Sequence, residues 1–216
     1  MKILLVSSTQ QEIEPFLKEK RHMDVLISGV GIAATTFNLT KQLLHHHYDL
    51  VIQAGVAGLF GSNGHSNNGH INGFPQMTEV VTVSKDVFGD LGAYETEQFK
   101  SINDLQLSYD LEWFHNTQPL INKLPYKKVS AITVNTVTDD KKMIGALQQK
   151  WSPVIESMEG AVLHYVCGEK EIPFIQLRAI CNHVGERDKS KWQLKEAIEK
   201  LNVAISDTIA TAGGKK

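Results

Sequence analysis

Short apolar runs alternate along the chain with stretches whose apolar residues recur at helical spacing. Residues 3–7 read as a first strand and 11–20 as a helix or helical turn. A second strand is predicted over 25–28, ending in Gly29-Val30-Gly31. Within 33–46, Phe37, Leu39, Leu43 and Leu44 fall on a helical period. Further strands are predicted over 50–54, closing on Gly55, and over 78–84, 129–134, 154–156 and 174–180. Helices are predicted over 141–150, 160–169 and 191–211. Short strands separated by helices imply a parallel or mixed sheet covered on both faces. The expected fold is a single three-layer α/β/α domain over residues 1–212, with a central mixed, mostly parallel twisted sheet. Residues 213–216 read as a disordered tail. Such a sheet binds ligands beyond the carboxyl ends of its strands, so polar residues just after each strand are where chemistry is sought.

Two stretches break the alternation. Residues 61–74, rich in Gly and Asn, read as a mobile loop. Its His65 and His70 have no Cys or acidic residue nearby in sequence, so no metal site is expected there. His45-His46-His47 reads as a solvated helix end, since consecutive helical side chains point in different directions.

Composition removes several classes of function. The formal net charge over 216 residues is −2, which supplies no general pull toward nucleic acid or an anionic membrane. No run approaches the roughly 18 apolar residues of a membrane span, and the apolar start is too short for a secretory h-region. Cys167 and Cys181 are expected to be two buried free thiols in a reducing cytoplasm. Of 22 Lys and Arg residues, only Arg21, Arg178 and Arg187 are arginines, and arginine is the side chain best shaped to hold phosphate.

Three polar residues stand near predicted strand ends. Glu12 follows the first strand, Glu159 lies in Glu156-Ser157-Met158-Glu159-Gly160-Ala161, and Asn182 follows the strand at 174–180. Each has a plain structural reading. Glu12 and Glu159 suit the first turn of a helix, where a carboxylate meets the positive end of the dipole, and Asn182 suits a turn. Their common placement at the ligand-binding end of the sheet favours chemistry over coincidence.

Four strings in order, Ser28-Gly29-Val30-Gly31, Gln53-Ala54-Gly55-Val56-Ala57-Gly58, Ser157-Met158-Glu159-Gly160-Ala161 and Arg178-Ala179-Ile180-Cys181-Asn182, resemble the nucleoside phosphorylase and nucleosidase superfamily. The match runs from Lys2 to about Leu201. Within the superfamily the chain is most similar to the futalosine hydrolases, nucleosidases of menaquinone biosynthesis that are similar to methylthioadenosine nucleosidase. That finer likeness rests on Val134–Thr138, Phe88–Ala93 and Gly185–Trp192. The resemblance implies that Glu12 activates the attacking water, that Arg178 helps to position it, and that Glu159 holds the ribose 2′ and 3′ hydroxyls. It implies that Met158 packs on the sugar, that Asn182 contacts the purine at N7, and that Thr136 and Val137 line the base. Phe88 would cover the 5′ substituent. Gly55, Val56 and Ser157 belong to the substrate-binding strings; Val56 replaces a small polar residue of the family's turn, and Ser157 stands where nucleosidases often carry Glu. No metal or organic cofactor is implied, the partner is a small purine nucleoside, and a homo-oligomer (dimer or higher) is the default.

The chemistry agrees independently. Breaking a ribosidic C–N bond builds positive charge on the sugar and negative charge on the departing base. A carboxylate beneath the ribose stabilises the first and a donor at N7 the second, while a base near water makes it a competent nucleophile. An amide at position 182 donates to the two acceptors, N7 and O6, of a 6-oxopurine; an ionised Asp would repel that edge. Hypoxanthine (or guanine) is therefore favoured over adenine. Hydrolysis is favoured over phosphorolysis because few groups remain to hold a phosphate dianion: the amides of 29–31, Lys85 after a strand end, and Arg187 beyond the base position. The alternatives are an inosine-type nucleosidase or phosphorylase, and a non-catalytic nucleoside-binding protein on the same fold.

Overall fold

A computed structural model describes residues 1–19, 23–61, 73–108 and 112–214. Most of the Gly/Asn-rich stretch, with His65 and His70, lies outside the described residues, as do Arg21 and the last two lysines of the tail.

The first half alternates as its pattern requires: β1 (Ile3–Ser7), α1 (Gln10–Lys18), β2 (Asp24–Ile27), α2 (Ile32–His45) and β3 (Leu50–Leu59). β4 (Val80–Phe88) leads into a small hairpin of β5 (Gly92–Glu95) and β6 (Gln98–Ser101), then β7 (Phe114–His115) and β8 (Lys127–Thr133). α3 (Lys141–Trp151), β9 (Ile155–Ser157), α4 (Gly160–Glu169), β10 (Phe174–His183) and α5 (Leu194–Ala212) complete the chain. The hairpin and β7 were not foreseen: they are short, and their polar residues give no clean alternation. α2 ends at His45, and all three histidines of the triplet are exposed.

The sheet runs β10-β4-β8-β9-β3-β1-β2, with β7 beside β4, and β3 pairs additionally with β10. β10, β4, β8, β9 and β3 therefore form a closed ring, from which β1 and β2 extend. The β1–β2, β1–β3, β3–β10, β4–β8 and β8–β9 pairings are parallel; β4–β10, β3–β9 and β4–β7 are antiparallel. Ala57, Leu59, Val81, Val83, Val129, Ala131, Ile155 and Ile180 form one apolar cluster shared by all five strands of the ring. α1 and α5 cover one side of the sheet through Ile13, Phe16, Ala197, Leu201 and Ile205. α2 and α4 pack near one another on Leu4, Val6 and Val51. Cys167 and Cys181 are both free and buried.

Three strands are longer than their apolar runs predict. β3 continues beyond Ala54 to Leu59, β4 beyond Ser84 to Phe88, and β10 beyond Ile180 to His183. In each, backbone pairing with a sequence-distant neighbour carries the strand through glycine and polar positions that interrupt the pattern. Gly55 and Val56 are thus strand residues rather than a turn.

Candidate active site

The edge of β3 opposite β10 has two successive partners. β1 pairs it as far as Val6–Gln53, and β9 takes up that edge at Gly58–Glu156. Between them, at Ala54–Ala57, the edge is open to side chains.

Glu12 fills part of this opening. It sits in the first turn of α1, where Thr9 and Glu12 form a capping box. Its Oε2 accepts from the Ser7 hydroxyl at 3.2 Å, the Ser8 hydroxyl at 2.8 Å, and the Thr9 amide and hydroxyl at 3.0 and 2.9 Å. Its Oε1 reaches the other way and accepts from the Val56 amide at 3.1 Å. The helix-start reading and the chemical reading of Glu12 therefore both hold, one on each oxygen. The Thr9-x-x-Glu12 spacing was the available sequence signal for the first.

Glu159 behaves differently. It occupies the position before α4 but makes no side-chain cap. Its Oε1 instead accepts from the Gly31 amide at 2.9 Å, and its Oε2 lies 3.8 Å from Arg178 Nη1. Gly31 has φ +90°, a conformation that glycine adopts readily and an L side chain resists. That turn, after β2, aims the amide at Glu159 just before α4. Burial raises the Glu159 carboxyl above its ordinary value; Arg178 and the Gly31 amide oppose the rise, and Glu12 adds to it.

Arg178, 1% exposed, donates to Gln53 Oε1 at 3.0 Å, and its Nε has no hydrogen-bond partner. It pairs across the sheet with Gly55. A Cβ at position 55 would collide with the guanidinium and stand 2.9 Å from Glu12 Oε1. The missing side chain at Gly55 is thus what lets Glu12 and Arg178 share this space, and Arg178 in turn reaches Glu159.

Beneath Arg178 lies a buried polar network that sequence reasoning missed. Gln176 Nε2 donates to Asp86 Oδ2 at 3.2 Å, Thr133 Oγ1 donates to Asp86 Oδ1 at 3.0 Å, and His164 Nε2 lies 2.8 Å from Gln176 Oε1. Burial pushes Asp86 up to about 7, against the pull of Gln176 and Arg178. Burial likewise drops His164 to about 4. The signal was present: polar residues within apolar strands need buried partners.

The base-side residues gather further along β3. Asn182 pairs with Gly58, three residues beyond Gly55, or about 10 Å at about 3.3 Å per residue. It follows a register shift after Ile180 and lies within β10, not in a turn. Its Oδ1 accepts from Cys181 Sγ at 3.1 Å, and one Nδ2 hydrogen goes to the His183 carbonyl at 2.8 Å. Thr136 is exposed, with its amide 3.4 Å from Asp90 Oδ2, and Val137 packs on the cluster of Phe60, Ile132 and Trp151. Met158 is half-buried beside Glu159. The Ser157 hydroxyl is turned inward, accepting from the Gly160 amide at 3.3 Å. Phe88 lies in one row with Thr133 and Ser157 across β4, β8 and β9, and its ring contacts Phe114 and Tyr165.

The anion-binding candidates look different once folded. Lys85 lies inside β4 with its ammonium 4.0 Å from the centre of the Trp113 ring, rather than at a strand end. The Gly31 amide is taken by Glu159 and Arg178 is engaged by Glu159 and Gln53. Among the described residues no group of three or more His, Cys, Asp or Glu side chains is placed to hold a metal ion, and no helix is long and apolar enough to cross a membrane.

The chain is 26% identical over 198 residues to futalosine hydrolase of Thermus thermophilus, spanning 88% of this chain and 83% of that one. It is 27% identical over 191 residues to futalosine hydrolase of Acidothermus cellulolyticus, spanning 85% and 73%. No family model matches. Among solved structures, a futalosine hydrolase mutant of Helicobacter pylori superposes with a TM-score of 0.78 at 16% identity, covering 97% of this chain and 98% of that one. The 5′-methylthioadenosine/S-adenosylhomocysteine nucleosidase of Helicobacter pylori, bound to butyl-thio-DADMe-Immucillin-A, superposes with a TM-score of 0.77 at 15% identity, covering 97% of each chain. The likeness to futalosine hydrolases read from short motifs extends over most of the chain, and the fold is the one these nucleosidases share.

Proposed function

We propose that this chain is a cofactor-free hydrolase of the N-ribosidic bond of a 6-oxopurine nucleoside, with futalosine as substrate and hypoxanthine as leaving base, in menaquinone biosynthesis. The observation that carries the proposal is the meeting of Glu12 and Arg178 over side-chain-free Gly55, with Glu159 3.8 Å from Arg178 and Asn182 further along β10.

In this reading Glu159 accepts from the ribose 2′ and 3′ hydroxyls and stabilises the cationic sugar as the C1′–N9 bond breaks. The bonding pair leaves with the purine, whose N7 takes a hydrogen bond from the free Nδ2 hydrogen of Asn182. Water, positioned by Arg178, bonds C1′ and passes its proton toward Glu12 Oε1. Met158 packs on the sugar, Thr136 and Val137 flank the base, and Phe88 lies toward the 5′ substituent. Water is preferred to phosphate because the Gly31 amide, Arg178 Nη2 and Lys85, three groups that could hold a dianion, already have partners.

Incubation with futalosine and with inosine, with and without phosphate, tests this by product analysis. The expected result is phosphate-independent hypoxanthine release, faster from futalosine. An absolute phosphate requirement refutes hydrolysis, and binding without base release over hours refutes catalysis.

The protein is further proposed to be cytoplasmic and a homo-oligomer. Two free buried thiols suit a reducing compartment. Phe37 and Leu44, each 66% exposed and seven residues apart on α2, give that helix an apolar stripe for a second copy. Light scattering at micromolar concentration tests the assembly; a monomer contradicts it.

A further inference from the structure

A helix begins with amide N–H groups that its own backbone cannot satisfy. In α4 the opening residues Gly160, Ala161, Val162 and Leu163 are all buried, so their amides need partners inside the protein. The residue before a helix commonly supplies one, its side-chain oxygen accepting from the N–H two or three residues on. Glu159 holds that position and makes no such bond. Its carboxylate goes instead to the Gly31 amide and Arg178. The caps come from two strand ends. Thr133 closes β8 and Ser157 closes β9, in register with one another. The Ser157 hydroxyl accepts from the Gly160 amide at 3.3 Å, and the Thr133 hydroxyl accepts from the Ala161 amide at 2.7 Å. Ala161 lies two residues after Glu159, so Thr133 takes a bond that the Glu159 side chain could otherwise accept.

A hydroxyl that accepts from one group has a single hydrogen to send to another. Thr133 sends it to Asp86 Oδ1 at 3.0 Å, and both residues are fully buried. Asp86 is fixed in turn by the Val87 amide at 2.9 Å and by Gln176 Nε2 at 3.2 Å, with His164 2.8 Å behind Gln176. This network sets the hydroxyl so that a lone pair faces α4. Gly160 permits the close approach: a Cβ there would strike Asp86 Oδ2 and Gln176 Nε2.

We propose that Thr133 is a positioning residue for Glu159. By capping α4 from β8, it leaves the Glu159 carboxylate free to face the sugar. Glu12 shows the other arrangement, with one oxygen committed to its own capping box. Without the Thr133 hydroxyl, the Ala161 amide becomes a buried donor lacking a partner, which is costly. Glu159 can then satisfy it by turning back onto its own helix, away from Gly31 and Arg178.

The inference rests on the nucleosidase reading, in which Glu159 holds the ribose hydroxyls, but it has its own test. Base release from inosine and 2′-deoxyinosine is compared for wild type, Thr133→Val and Thr133→Ser. Wild type is expected to favour inosine in kcat/KM by about 10–100-fold, the range of one hydrogen bond to a charged group. Thr133→Val, which removes the hydroxyl, should lower that ratio by about tenfold or more. Thr133→Ser, which keeps the hydroxyl, should retain it. A general loss of stability would slow both substrates alike and leave the ratio unmoved. An unchanged ratio in Thr133→Val, or an equal fall in Thr133→Ser, overturns the role. Should Thr133→Val not fold, Thr133→Ala is read in the same way. If wild type releases base without preferring ribose, Glu159 loses its sugar contact and Thr133 its role. If wild type releases no base from any nucleoside, the hydrolase reading fails. The cap is then tested by the NMR shift of the Gly31 amide, which reports where the Glu159 carboxylate lies. A shift that moves in Thr133→Val and stays in Thr133→Ser sustains the positioning; one unmoved in Thr133→Val rejects it.

Discussion

Glu12 Oε1 accepts a hydrogen bond from the Val56 amide at 3.1 Å, in the part of β3 that lies between its pairing with β1 and its pairing with β9. The carboxylate thus stands where a neighbouring strand would otherwise run. Its other oxygen is held by the start of α1, which fixes the side chain before any substrate arrives.

This division of labour separates chemistry from stability. Glu12→Gln keeps a residue able to complete the capping box, and should lower kcat by about 10²–10⁴-fold with little change in melting temperature. Glu12→Ala should lose the same activity and in addition about 1 kcal/mol of stability. Steady-state kinetics beside thermal melts distinguish the two variants. Equal melting temperatures would mean that the capping contacts contribute nothing.

Glu159→Gln should lower kcat by about 10²–10³-fold, the scale of one electrostatic contact to the transition state, and leave circular dichroism unchanged. Because burial raises the Glu159 carboxyl, its ionised form is lost as pH falls at a higher pH than for an exposed glutamate. The acid limb of kcat/KM should therefore lie above the ordinary glutamate range. Near-normal turnover in the Gln variant would remove Glu159 from the chemistry.

Gly55→Ala tests convergence without removing a functional group. The added Cβ meets the Arg178 guanidinium and Glu12 Oε1, so both should shift. Displacements near 1 Å at a reacting centre cost up to about 10²-fold in rate. A variant that folds and turns over normally would show that the site tolerates a wider spacing.

Asn182→Asp should shift preference from 6-oxopurine toward 6-aminopurine nucleosides, since an acid at this position can both donate to N7 and accept from a 6-amino group. The ratio of kcat/KM for inosine and adenosine reads this directly. An unchanged ratio would leave base choice to other residues.

Asp86 gives a stability prediction with a definite sign. Its folded pKa, about 7, lies above the unfolded value of 3.8. Ionisation therefore opposes folding, with a penalty absent below about pH 4, growing toward pH 7 and complete above it. Relative to Asp86→Asn, wild type should lose a few degrees of melting temperature between pH 5 and 8. A difference that does not vary with pH would mean that Asp86 stays ionised in the fold.

Much of this was legible in the sequence. Apolar periodicity located the first β-α-β-α-β units and placed Glu12, Glu159 and Asn182 near strand ends, because period and polarity are local properties of a chain. Local pattern does not report which distant strands pair. The extension of β3 through Gly55 and Val56, the closure of β3 onto β10 and the shared edge of β1 and β9 all depend on long-range backbone pairing. Tertiary structure also decided the partners: the Gly31 amide for Glu159 and Gln53 for Arg178. The residue types capable of the chemistry can be listed from the sequence. Which of their atoms face one another is set by the crossing of distant segments, 128 residues apart for Gly31 and Glu159 and 125 for Gln53 and Arg178.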